Sequence, residues 1–172
     1  MRKSPKTLTL TAACAVAVST ISAANAQQQT TASYQDWTVR CVLPEGQTQK
    51  QCEMIQSASV QGQAGPISQI AIGRPVKTEP VKVVFQLPVG VWLPRGAKLV
   101  FDSKAPALEA TFKRCLPAAC FADAELKDNI IKKLHGVTEQ GHLDFEDGNR
   151  RPVTLPVSFK GFGQAFDAMA KE

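Results

Sequence analysis

The chain has no motif that signals catalysis or nucleotide binding. It contains no Gly-x-Ser-x-Gly nucleophile elbow, no His-Glu-x-x-His zinc site and no P-loop. Side chains that bind metals or carry protons are also scarce, since the 172 residues include only two histidines. We therefore expect a protein with no catalytic residues, no bound metal and no cofactor.

The two histidines have polar neighbours in the sequence, and exposure of these segments to solvent explains this. An alternating strand would place His142, Asp144 and Glu146 on one face, opposite two apolar residues. Solvent-facing positions of a half-buried strand account for this pattern, and a metal or acid–base cluster is the less favoured alternative. His135 lies near the end of an expected helix, where the helix dipole stabilises a cation.

The amino-terminal segment has the three parts of a secretory signal peptide. Three basic residues (Arg2, Lys3 and Lys6) precede an uncharged apolar run, residues 8–24, which ends in a small-residue Ala-Asn-Ala cleavage site. The run is barely long enough to span a bilayer and is rich in Ala, Ser and Thr, so a retained membrane anchor is disfavoured. We expect residues 1–26 to be removed and the protein to reach the periplasm, the outer membrane or the medium.

Removal of this segment also removes much of the positive charge. The full chain has 20 basic and 15 acidic residues, and three of the basic ones lie in the signal, which leaves 17 basic against 15 acidic. Nucleic-acid binding requires a dense basic patch. The remaining basic pairs are scattered along the chain, so we expect no nucleic-acid partner.

Four cysteines remain in the expected mature chain: Cys41, Cys52, Cys115 and Cys120. In an exported protein they indicate two disulfides, which could form in three ways. We favour the two local pairs, because a hairpin would bring Cys41 opposite Cys52 and a turn at Pro117 would bring Cys115 back to Cys120. The spacings lack the Cys-x-x-Cys motif of zinc knuckles and thiol oxidoreductases, so both alternatives are disfavoured.

Alternating apolar and polar residues predict a series of short strands. Trp37, Val39 and Cys41, for example, share one face of an expected strand. Pro156 indicates that the last strand is an edge strand or carries a bulge. Segments of this kind, separated by turn signals, comprise residues 34–43, 51–56, 67–73, 81–87, 97–101, 108–113, 142–146 and 152–159.

One helix is expected between the strands at residues 108–113 and 142–146. Asp123 is a suitable N-cap, and Gly136 is a suitable carboxyl-terminal stop. Leu126, Ile130 and Leu134 recur between them at helical spacing.

A second helix is expected over residues 161–170, at the carboxyl terminus. Phe162, Phe166 and Met169 form a narrow apolar stripe there. With about eight short strands and two short helices, the chain is predicted to be mainly β. We expect an antiparallel β-sandwich that forms a single domain over residues 27–172.

Three aromatic residues are candidates for contact with a protein partner. Trp92 lies in a stretch rich in proline and glycine, residues 88–96, which cannot be a central strand throughout. Phe162 and Phe166 on the terminal helix could add to an exposed apolar patch. Simple packing in the core would explain these aromatic residues equally well.

Several segments taken together resemble a known family. They are residues 36–41 (Asp-Trp-Thr-Val-Arg-Cys) followed by Cys52, residues 87–96 (Leu-Pro-Val-Gly-Val-Trp-Leu-Pro-Arg-Gly), residues 112–120 and residues 155–162. The chain resembles the invasion-associated locus B family of exported alphaproteobacterial proteins, in which such segments occur in this order across nearly the whole mature chain.

The resemblance implies an immunoglobulin-like β-sandwich and a protein without known enzymatic activity. Founding members of the family are associated with the entry of pathogens into host cells. We therefore expect a non-enzymatic cell-envelope protein that acts through protein–protein contact, in adhesion, host-cell invasion or another envelope role. The alternatives are a periplasmic module that binds a small molecule or a metal, and a redox or folding factor.

Overall fold

The computed structural model describes residues 29–59, 65–76 and 78–172, so the expected signal peptide lies outside the described residues. Two α-helices, α1 (Asp128–His135) and α2 (Phe162–Lys171), accompany a short 3-10 helix at Leu93–Arg95. The strands are β1 (Gln29–Tyr34), β2 (Trp37–Val42), β3 (Gln51–Ala58), β4 (Ser68–Gly73), β5 (Lys82–Leu87), β6 (Ala97–Val100), β7 (Leu108–Leu116), β8 (Ala119–Glu125), β9 (Gly141–Glu146) and β10 (Pro152–Val157).

All of these strands belong to one antiparallel sheet with the order β1-β2-β3-β4-β5-β8-β7-β6-β9-β10. The strand β7 is shared between two parts of the sheet. Its residues 108–110 pair with β6, its residues from Thr111 onward pair with β8, and a bulge separates Phe112 from Arg114. Both parts contribute side chains to one hydrophobic core. The predicted antiparallel, mainly-β fold with two helices and two disulfides is confirmed.

Alternating burial follows the sequence pattern closely. Trp37, Val39 and Cys41 of β2 are buried, and the residues between them are partly exposed. The ring of Trp37 meets Phe162 of α2 edge to face, with 5.3 Å between ring centroids. Helix α2 thereby covers the inner face of β2, which explains why the apolar stripe of this helix is buried.

A polar contact brings the end of β10 against the start of β2. The indole Nε1 of Trp37 donates a hydrogen bond to the carbonyl oxygen of Ser158 over 3.0 Å. The side-chain amide of Gln56 donates to the same oxygen over 2.8 Å and accepts from the Ser158 backbone N–H over 3.0 Å. Ser158 Oγ also donates to Asp36 Oδ2 over 2.6 Å. The backbone groups of Ser158 are therefore paired although no strand continues there.

Both disulfides join directly opposed residues of neighbouring strands. Cys41 of β2 is bonded to Cys52 of β3, and Cys115 of β7 is bonded to Cys120 of β8. Pro117 and its neighbour form the two-residue turn between β7 and β8. The pairings favoured from the sequence are confirmed.

Two strands were not predicted, and one of them corrects the boundary of a helix. Residues 119–125 form β8, so Asp123 lies in a strand and is not the N-cap of α1, which begins at Asp128. The physical reason is pairing, because β8 lies between β5 and β7, with Asp123 opposite Val84. The other new strand is β1, whose residues are mostly polar and mostly exposed.

Candidate contact surface

The segment that contains Trp92 is held against the turn between β9 and β10. Val91 forms an isolated bridge with Asp147, and the backbone N–H of Trp92 donates to the carbonyl oxygen of Glu146 over 2.8 Å. The approach is close, since a Cβ on Gly148 would lie 2.9 Å from the carbonyl oxygen of Gly90. This contact favours glycine at position 148, whereas Gly90 is favoured by its left-handed φ of 83°.

The same turn presents an arginine to the indole ring. The guanidinium carbon of Arg150 lies 4.3 Å from the centroid of the Trp92 ring, which is a cation–π contact. Arg150 has a positive φ of 62°, an uncommon conformation for a residue with a side chain. Asp147 holds this conformation, because its Oδ1 accepts from the backbone N–H groups of Asn149 and Arg151 over 2.8 and 2.9 Å.

Hydrogen bonds from the backbone and side chain of Arg151 lower the pKa of the Asp147 carboxyl below the ordinary value of 3.8. A carboxylate with a depressed pKa stabilises the folded turn at higher pH, and that stabilisation is lost as pH falls through the depressed value. We expect the NMR signal of the Trp92 indole N–H to shift as Asp147 is protonated, with a midpoint below the ordinary aspartate pKa of 3.8.

The substitution Asp147→Ala should shift the Trp92 indole signal at every pH, because it removes the acceptor that holds the turn. The indole signal of Trp37 provides an internal control, since this ring is buried against α2. A Trp92 signal that follows the ordinary titration of an aspartate, or that ignores the substitution, would contradict the assignment.

Three large apolar side chains are exposed at the end of the sheet that carries Trp92. Among the described residues the mostly exposed large apolar side chains are Val76, Val89, Leu93 and Leu116, at 46–53% exposure. Val89 follows the end of β5, where Leu87 pairs with Cys120, so it lies at the same end of the sheet as Leu116, the last residue of β7. The 3-10 helix that contains Leu93 contacts β7. Val76 lies in the β4–β5 connection, at the opposite end of β5.

A second arginine lies over an aromatic ring at this end. Arg114 of β7 pairs with Phe121 of β8, and its guanidinium carbon lies 5.2 Å from the Phe121 ring centroid. Within the described residues neither Arg114 nor Arg150 forms an ion pair, whereas Arg151 is paired with Asp147. We call the set of Val89, Trp92, Leu93, Arg114, Leu116 and Arg150 the arginine–apolar end.

The structure corrects two of the three residues that the sequence suggested for partner contact. Phe162 and Phe166 are buried, at 1% and 9% exposure, and stack on each other with 6.1 Å between centroids. They lie on the buried face of α2, where Phe162 packs on Trp37, so they are not available for direct contact with a partner. The spacing of the stripe in α2 was read correctly, but only the packing of the helix shows which way the stripe faces. Trp92 is half-buried and accessible.

The two histidines have different partners, and neither belongs to the arginine–apolar end. His142 Nε2 is 3.3 Å from Asp144 Oδ2, and that carboxylate also accepts from Thr154. His135 lies 5.4 Å from the Phe166 ring. Across residues 29–59, 65–76 and 78–172, no group of three or more His, Cys, Asp or Glu side chains is arranged to hold a metal ion.

An open cleft of about 880 Å³ lies between the end of α1 and the turn after β6. Its lining includes three lysines and two acidic residues, Lys104, Lys132, Lys133, Asp102 and Glu139, so the charges nearly balance and favour no ligand of one sign. A smaller depression of about 240 Å³ lies over Ala71 and Gly73 on the sheet. A small-molecule-binding module stays a prediction, and native mass spectrometry of the exported chain would test it.

Comparison with known proteins agrees with the fold. The family model "Invasion associated locus B (IalB) protein" matches residues 37–170. The chain belongs to the invasion associated locus B family. Invasion protein B homologues from two Brucella abortus strains, 2308 and biovar 1 strain 9-941, are each 32% identical over 136 residues, which cover 78% of this chain and 76% of the relative.

A solved structure shows the same fold. The crystal structure of invasion associated protein B from Bartonella henselae superimposes with a TM-score of 0.70 at 21% identity, over 83% of this chain and 95% of that one. Membership of the invasion associated locus B family and two disulfides indicate an exported protein. None of the helices in the described part of the chain is long and apolar enough to cross a membrane.

Proposed function

We propose that this protein is a non-enzymatic, exported protein of the cell envelope that binds another protein through the arginine–apolar end. The observation that carries the proposal is the accessible Trp92–Arg150 stack at the same end of the sheet as exposed Val89, Leu93 and Leu116. Isolated exposed apolar residues are ordinary on protein surfaces, but several at one end indicate a contact site.

The composition of this end suits an interface. Tryptophan and arginine are the residues that most often dominate binding energy at protein interfaces. Arg114 and Arg150 have aromatic rings as neighbours and, in the described residues, no paired carboxylate. A partner with an apolar centre and acidic groups around it would therefore complement this surface.

The arginine–apolar end is also held in place before binding. The Val91–Asp147 bridge and the bond from the Trp92 N–H to Glu146 fix the backbone at Val91 and Trp92. The Cys115–Cys120 disulfide fixes the hairpin that presents Leu116. A preorganised surface loses less conformational entropy on binding, which favours affinity.

The location and biological role are proposed by analogy with the named relatives. The related proteins from Brucella and Bartonella are named for invasion. We propose that the protein is exported to the periplasm, to the outer membrane or to the medium. We propose that it serves adhesion, host-cell invasion or another envelope role.

Affinity capture of envelope proteins by the exported chain tests the contact site. Trp92→Ala should weaken the capture of a specific partner by tenfold or more, since interface tryptophans often contribute about 2 kcal/mol or more. The matched control is Val76→Ala, because Val76 is as exposed as the apolar residues of the arginine–apolar end but lies at the opposite end of β5.

The two variants separate the proposed surface from the rest of the molecule. Equal capture by wild type and Trp92→Ala would exclude the arginine–apolar end as the contact site. Equal loss in Trp92→Ala and Val76→Ala would show that binding follows general surface hydrophobicity.

A further inference from the structure

The two edges of the sheet are protected very differently. An open strand edge presents unpaired N–H and C=O groups, and proteins usually block such edges with proline, charge or a covering segment. The edge strands here are β1 and β10. The alternation of hydrogen bonds along each strand shows which backbone groups point outward.

In β10 the outward positions carry proline. The carbonyl oxygen of Glu146 accepts a hydrogen bond from the backbone N–H of Trp92, so it points to the side of β9 away from β10. Glu146 and Pro152, which lie opposite each other in β9 and β10, therefore form a non-hydrogen-bonded pair. The backbone nitrogens of residues 152, 154 and 156 therefore face the open edge. Two of these residues, Pro152 and Pro156, have no N–H, and only Thr154 can donate.

In β1 the outward positions are all able to pair. The Cα atoms of Cys41 and Cys52 are 4.1 Å apart, as in a non-hydrogen-bonded pair of antiparallel strands. The backbone groups of Thr38 and Arg40 therefore form hydrogen bonds with β3. Those of Trp37 and Val39 form hydrogen bonds with β1. Their partners in β1 are Tyr34 and Ala32, together with Thr30 opposite Cys41. The N–H and C=O groups of Gln29, Thr31 and Ser33 consequently face outward.

Nothing in the described residues blocks this edge. The strand β1 pairs with β2 alone, and residues 29–33 are exposed. Its sequence, Gln-Thr-Thr-Ala-Ser-Tyr, contains no proline and no charged side chain. It thus lacks the residues, proline and charged side chains, with which edge strands usually prevent pairing, whereas β10 has two prolines.

We propose that β1 pairs antiparallel with β1 of a second copy of this chain and joins two sheets into one. A two-fold axis at Thr31 would place Thr31 opposite its own copy and Gln29 opposite Ser33 of the second copy. All outward N–H and C=O groups of these residues would then be paired. Because β1 is uncharged, self-pairing brings no like charges together. This inference concerns a surface separate from the arginine–apolar end and does not depend on the proposed function.

Sedimentation velocity on the chain purified after export tests the dimer. The proposed contact buries little apolar surface, so the dimer should be weak and should appear as concentration is raised over about a hundredfold range. Thr31→Pro removes an outward N–H without breaking the β1–β2 ladder, and we expect it to raise the dimer dissociation constant by about tenfold or more. Thr154→Pro, the matched change on the β10 edge, should leave the dissociation constant unchanged.

A second substitution guards against misfolding of the proline variant. Thr31→Lys places two positive charges opposite each other across the axis, so it should weaken the dimer at low salt and recover in part at high salt. Amide hydrogen exchange at Thr31 and Ser33 should slow with rising protein concentration in the wild type. The proposal would be overturned if the wild-type chain stays monomeric, or if neither Thr31 variant weakens the dimer. It would also be overturned if Thr31→Pro and Thr154→Pro weaken the dimer equally.

Discussion

Replacing Trp37 by alanine is expected to lower the free energy of unfolding by about 3–5 kcal/mol, the range for a buried aromatic ring. Trp92→Ala is expected to cost less than half as much. The two tryptophans have opposite roles, since Trp37 is 1% exposed in the core and Trp92 is accessible at the arginine–apolar end.

The loss at Trp37 should come mainly from the cavity. The ring packs edge to face on Phe162, so its removal exposes space between β2 and α2. The hydrogen bond to the Ser158 carbonyl is lost as well, but this oxygen keeps its second donor, Gln56 Nε2, at 2.8 Å. No buried acceptor is left without a partner, and the transfer and cavity terms dominate.

Urea unfolding of both variants, followed by circular dichroism, measures the difference. A domain of this size is stable by about 5–15 kcal/mol, so Trp37→Ala should move the midpoint far more than Trp92→Ala. Similar midpoint shifts for the two variants would mean that Trp92 serves the fold as much as Trp37 does. That result would remove the reason for treating Trp92 as a contact residue.

The parts of the fold that the sequence predicts are those with a strong local pattern. In β2, β5 and β9 one face is buried and the other is partly exposed, so apolar residues alternate and each strand is readable. The two disulfides join residues that are close in sequence, and a hairpin alone brings each pair together. Pro156 correctly marks β10 as an edge strand.

The parts that were missed depend on distant partners. The strand β1 has no buried face, so its polar sequence carries no periodic signal. The strand β8 ends in residues that resemble the start of a helix, but pairing with β5 and β7 keeps them extended. Acidic residues near Asp123 are weak helix signals, and the hydrogen bonds of two neighbouring strands outweigh them.

The candidate site was predicted only in part for the same reason. The proline and glycine residues around Trp92 correctly indicated a loop. Its contact with Arg150 joins two segments 58 residues apart, and no local pattern reports such a contact. Phe166 lies on a stripe that could face a partner or the core, and the sequence alone gives no direction.

Replacing Gly161 by alanine is expected to destabilise the protein by about 2–4 kcal/mol, through two separate effects. Gly161 has a φ of 81°, which is unfavourable for any residue with a Cβ. A Cβ there would also overlap the carbonyl oxygen of Tyr34, which belongs to the backbone and cannot rotate away. Either β1 or the start of α2 would have to move.

Gly46 provides a matched control for the backbone term. Its φ is 75°, close to that of Gly161, but a Cβ at position 46 would meet no atom within 4 Å. Gly46→Ala should therefore show only the cost of the left-handed conformation, about 1–2 kcal/mol. The difference between the two variants, measured by urea unfolding, isolates the steric conflict with Tyr34.

The position of Gly161 explains why the steric part should be large. Its carbonyl oxygen accepts from the N–H of Ala165 in the first turn of α2, and the next residue, Phe162, packs on Trp37. A shift at position 161 thus displaces the ring that covers the inner face of β2. If Gly161→Ala and Gly46→Ala lose equal stability, the close approach of Tyr34 to α2 is not a constraint on this fold.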